Sequence, residues 1–109
     1  MQYPTEIGVS MLYARTISAA LVPGKADEAI RIFHDQVIPM IETQPGYVRT
    51  TLLVDRENNQ AMTITIWESK EGLESTGQGT QYLKDAVNLL VGCVVPKTYS
   101  HWDVGTSTA

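Results

Sequence analysis

The stretch TITIWES, residues 63–69, ends an alternating run on a tryptophan, with Thr63 and Thr65 on the side of Trp67 and Ile64 and Ile66 on the other. An indole beside two hydroxyls can hold a flat ligand, because the ring supplies an aromatic wall and each hydroxyl both donates and accepts. A dry pocket of this kind can bind such a ligand, orient it and help to remove a proton from it. Trp67 and Thr63 are therefore candidates for chemistry and Thr65 for substrate contact. The same tryptophan also suits a core position closing the sheet edge, its N–H bonded to a backbone carbonyl.

His34 and His101 are the only histidines. His34 follows Phe33 beside an apolar helical stripe, where it can act as a base at a pocket edge; a half-exposed helix histidine is the commoner use of such a position. His101 alternates with Tyr99 and Asp103 on a last strand and reads as a dimer contact or sheet-edge residue. Tyr13, Tyr47 and Tyr82 are candidate substrate-binding residues, or boundary tyrosines of a sheet or dimer. Arg15 and Arg49 stand on strands, where each can bind an enolate or pair with an acid across the sheet. Two histidines and the lone Cys93, set in apolar LLVGCVVP, give no metal-ligand spacing, so no metal is expected. GQG (77–79) lacks the order of a nucleotide loop and reads as a loosened lid or entrance, and Glu68 suits the start of a helix.

The segments around these residues alternate between two periods. MLYARTIS (11–18) reads as a strand, punctuated by Pro23 and Gly24. Ala26, Ile30, Phe33, Val37 and Ile41 then form one stripe of an amphipathic helix, with Asp27 and Glu28 near its positive end. Pro39 predicts a kink, or a restart with Pro39 in a new first turn, and QPG (44–46) ends the helix. YVRTTLLVD (47–55) and AMTITIW (61–67), joined by RENNQ, predict a β-hairpin whose second strand carries no charge on either face. Ser69 predicts the N-cap of a helix from Lys70, weakened at Gly77 and Gly79 and resumed over 80–92 with Tyr82 or Leu83, Ala86 or Val87, and Leu90 inward. KTYSHWDV (97–104), after Pro96, is a closing strand. The order β, α, β, β, α, β predicts an α+β, ferredoxin-like sandwich, with an antiparallel four-stranded sheet and two helices on one face. Apolar residues on the other face predict a covering second copy, a two-fold homodimer.

A chain of 109 residues suits one domain, expected over residues 11–104 with loosely ordered 1–10 and 105–109. Eight Lys plus Arg against twelve Asp plus Glu give a net charge of -4 without a basic run, which argues against nucleic acid as a partner. No segment approaches the roughly 20 apolar residues of a membrane span, and no basic, apolar leader is present, so a soluble, cytoplasmic protein is expected.

Pro45-Gly46-Tyr47, the hairpin, and Trp67-Glu68-Ser69 together resemble the antibiotic biosynthesis monooxygenase family, over about Met11 to Val104. The resemblance implies a dimeric α+β barrel and, among the family's activities, a cofactor-independent monooxygenase acting on a small aromatic or quinol-type substrate. The alternative it leaves open is a non-catalytic dimeric barrel that binds a small apolar metabolite or serves for association. Haem-degrading members pair the strand-end Trp with an Asn on the first strand and a His on the second helix. This sequence has no Asn from Met11 to Val22 and no His from Lys70 to Gly92, so no haem, and no other cofactor, is expected. Some aromatic-oxidising members carry an Asn four residues before the Trp, where this chain has Thr63.

Overall fold

The computed structural model describes residues 12–108, so the expectations for residues 1–10, for Met11 and for Ala109 lie outside the described residues. In chain order the elements are β1 (Tyr13–Leu21), α1 (Ala26–Ile32), a π-helical turn (Phe33–Val37), α2 (Ile38–Ile41), β2 (Tyr47–Asp55), β3 (Gln60–Trp67), α3 (Lys70–Ser75), α4 (Gln81–Leu89) and β4 (Val94–Asp103). The four strands form one antiparallel sheet in the order β2-β3-β1-β4. This is the ferredoxin-like α+β sandwich read from the sequence.

Local chemistry explains most element ends. In the β2–β3 hairpin, Asp55 Oδ1 accepts the N–H groups of Glu57 and Asn58 at 3.1 Å each, and Asn59 takes a left-handed φ of 52°, a conformation Asn tolerates. β4 starts three residues earlier than the sequence suggests, at Val94, and takes in Pro96. That is tolerable because β4 lies at the sheet edge, where a missing N–H interrupts no second ladder, and the register shifts opposite Ser18/Ala19.

The first helix departs from regularity for a reason visible in its buried face. Ala29, Phe33, Val37 and Ile41 are the buried residues, spaced four apart. In a regular α-helix a step of four overshoots the turn by about 40°, so three such steps would carry Ile41 off the face held by Ala29. The wider π turn over Phe33–Val37 takes up that excess, and Pro39 follows in the first turn of α2.

The register sorts the strand residues by face. Arg15 pairs with Thr65 and Ile17 with Thr63, and these positions, with Trp67, face the helices. There Phe33, Val37, Ile41, Trp67, Leu73 and Ala86 form one apolar cluster, while Leu21, Ala29, Ala61 and Cys93 form a second. The opposite face carries Ile64, Ile66, Leu53, Met62, Val95 and Trp102. Trp102 is 56% exposed, Val95 51% and Leu53 49%, so the described residues leave this face uncovered.

Candidate functional site

Two close approaches set the strand end that carries Trp67. The Pro45-Gly46 turn lies against the start of α3, where Glu68 N–H donates to the Gly46 carbonyl at 2.7 Å. Gly46 has φ +77°, and a Cβ there would lie 2.5 Å from Ser69 Oγ; one on Gly72 would lie 2.2 Å from the Pro45 carbonyl oxygen. Only glycine fits either position. Ser69 caps α3 by accepting the Gly72 N–H at 2.9 Å, as its sequence position suggests. The Pro-Gly-Tyr and Trp-Glu-Ser motifs therefore pack against each other.

Behind them, between sheet and helices, lies a cavity of about 80 Å³ that opens on one side to solvent. Its walls are mainly apolar, and its polar residues are Arg15, Thr63, Thr65 and Tyr82, beside Trp67. Four of the seven candidates from the sequence are thus brought together here. Thr65 Oγ1 lies 2.8 Å from Thr50 Oγ1, which holds its hydroxyl in place. Burial pushes the Tyr82 hydroxyl up to about 12, with nearby Arg15 opposing, so this phenol stays protonated at neutral pH.

Trp67 has no solvent exposure, and its Nε1 has no hydrogen-bond partner among the described residues. The carbonyl bond expected of a purely structural tryptophan is therefore not made. Tyr13 and Tyr47 do not line the cavity; they are the cross-strand neighbours of Trp67 on its two sides. Tyr47 meets the indole edge to face, with centroids 5.9 Å apart and an interplanar angle of 77°. His34 is placed elsewhere. Its side chain is 80% exposed with Nδ1 2.9 Å from Asp35, outside the cavity, so the geometry does not give it the pocket-edge position expected of a base.

The residue that sequence reasoning undervalued is Arg15, which is only 4% exposed. Its Nε donates to His101 Nε2 at 3.2 Å, Nη1 donates to Thr76 Oγ1 at 3.1 Å, and Nη2 donates to the Leu73 carbonyl. Its Cζ lies 5.9 Å from the centre of the Trp67 ring. None of the ion pairs among the described residues includes Arg15. Burial depresses the guanidinium pKa from its ordinary value, and burial together with Arg15 depresses that of His101. Because His101 Nε2 accepts, the imidazole is neutral with its proton on Nδ1. An arginine followed by a threonine on an alternating strand gave no sign of this burial.

The antibiotic biosynthesis monooxygenase family model matches residues 13–84. The chain is similar in structure to SnoaB, a cofactor-independent oxygenase from Streptomyces nogalater, with TM-score 0.66 and 19% identity over 87% of this chain and 95% of that one. It is also similar to the ActVA-Orf6 monooxygenase of Streptomyces coelicolor, solved with nanaomycin D, with TM-score 0.67 and 14% identity over 92% and 93% of the two chains. At these identities the likeness carries the fold. An uncharacterised protein of Mycobacterium tuberculosis is 27% identical over 81 residues, 74% of this chain but 34% of that relative's length.

Proposed function

The chain belongs to the antibiotic biosynthesis monooxygenase family, and from that premise we propose that it is a cofactor-independent monooxygenase oxidising a small aromatic or quinol-type substrate with O2. The observation that carries this reading is the cavity, with a fully buried indole and its unpaired N–H beside Arg15, Thr63, Thr65 and Tyr82 in otherwise apolar walls. In this reading the substrate ring lies along Trp67, and the Thr63 and Tyr82 hydroxyls orient its oxygens. Thr65 and the flanking Tyr13 and Tyr47 fix the aromatic wall. Apolar surroundings keep water from the substrate anion while it passes an electron to O2. The working unit of this proposal is a homodimer whose second copy covers the open sheet face.

One observation favours a second reading, a non-catalytic barrel that binds a small apolar metabolite: the cavity is lined by no His, Asp or Glu among the described residues. Oxygen consumption with a panel of reduced quinols and anthrones separates the two. The monooxygenase reading expects uptake with at least one substrate, reduced on the order of a hundredfold in Trp67→Phe or Thr63→Val if wall and hydroxyl position the substrate. No uptake with any member leaves the binding role.

A further inference from the structure

We propose that the cavity selects flat ligands bearing an acidic enol, phenol or carboxylate and binds them as the anion, with the Arg15 guanidinium as the holding charge. The inference rests on the ligand cavity of the proposed function but not on its oxygen chemistry.

Among the described residues, Arg15 is a buried cation whose three hydrogen bonds all go to neutral acceptors: an imidazole, a hydroxyl and a carbonyl. A buried charge without a counter-charge is destabilising, so its retention in a cavity wall calls for a partner. A guanidinium has five N–H donors, and the described residues take three, which leaves two. Close by, the Trp67 Nε1–H is a second unpaired donor, and the Tyr82 hydroxyl remains protonated. No carboxylate lines the cavity among the described residues. The site therefore offers a surplus of donors and one positive charge, within a chain whose net charge is -4.

A purely structural account is that Arg15 caps the carbonyl end of α3 through Leu73 and Thr76. That accounts for two of its hydrogen bonds and leaves the surplus donors and the missing counter-charge unexplained. The guanidinium also removes the need for a base in the wall. The ligand O–H breaks, its electron pair stays on the ligand oxygen facing Arg15, and the proton passes to solvent through the open side of the cavity.

The test uses hydroxynaphthoquinone, an acidic flat probe, and its methyl ether, which cannot ionise. Binding is followed under nitrogen by tryptophan quenching, and ionisation by the visible absorbance of the bound quinone. The wild-type chain is expected to bind the hydroxy probe at least about tenfold tighter at neutral pH and to lower the probe's apparent pKa by about one unit. Arg15→Gln is expected to lose both effects and Arg15→Lys to keep part of each. A role limited to capping α3 would lower stability in Arg15→Gln without changing the charge preference or the probe's ionisation. Equal affinity for the two probes, an unshifted probe pKa, retention of the preference in Arg15→Gln, or binding of neither probe at millimolar concentration would each overturn the proposal. If Arg15→Gln does not fold, the two wild-type arms decide alone. Because oxygen is excluded, a chain that binds the anion selectively but never consumes O2 would sink the oxygenase reading and leave this one standing.

Discussion

Arg15 and His101 face each other across β1 and β4, and their hydrogen bond lasts only while the imidazole is neutral. Folding lowers the His101 pKa below its ordinary 6.5, through burial and the Arg15 charge, with Glu74 opposing. Below 6.5 the unfolded chain therefore takes up a proton that the folded chain resists. The His101 contribution is complete above that pH and is lost as pH falls through the lowered folded value. The depressed carboxyls of Asp55 and Glu28 act in a separate window, below their ordinary 3.8 and 4.5. Melting temperatures between pH about 7 and 5 should decline in the wild type and decline less in His101→Gln. Trp67 is subject to a different test. Its indole N–H bonds to none of the described residues, so Trp67→Phe should cost little, whereas Trp67→Ala should cost about 3–5 kcal/mol by urea denaturation. Strict alternation in β3 was enough to put Thr63, Thr65 and Trp67 on one face. Alternation does not tell which face receives the helices, and arginine is seldom buried, so the place of Arg15 required the tertiary structure. His34 was misleading because a neighbour of a stripe residue is about 100° away from it around the helix.

At the scale of elements, the junction of the Pro45-Gly46 turn with α3 is the most exacting contact around the site. Ser69→Ala removes one N-cap bond and should cost about 1 kcal/mol in urea unfolding. Gly72→Ala should cost more, because its new Cβ meets the Pro45 backbone carbonyl, which cannot rotate away as a side chain can. Every helix and strand was legible from period, caps and breakers, and Ser69 marked its helix start to the residue. The π turn was not foreseen, although the consecutive four-residue steps Phe33, Val37, Ile41 are its trace. Pro39 drew attention to its own position, while the widening lies just before it. The extension of β4 through Pro96 depends on which strands form the sheet edges, and that is a property of pairing rather than of any one segment.

At the scale of the whole molecule, the described residues cover the sheet on one side only. Among the described residues no helix is long and apolar enough to cross a membrane, and the apolar row of Leu53, Met62, Val95 and Trp102 on the open side suits the proposed second copy. Sedimentation at micromolar concentration should give twice the chain mass, and Met62→Glu should shift it to the mass of one chain; a wild-type monomer would rule out the covered face. The alternation that exposed this face was plain in the sequence, but an apolar face says nothing of its occupant's identity. The uncovered face carries one further consequence. If folding and pairing are a single event, heat resistance is no longer a fixed property of the chain but a function of how much of it is present. Each tenfold dilution then removes about 1.4 kcal/mol per mole of dimer, and the melting curve moves to lower temperature as the sample is thinned.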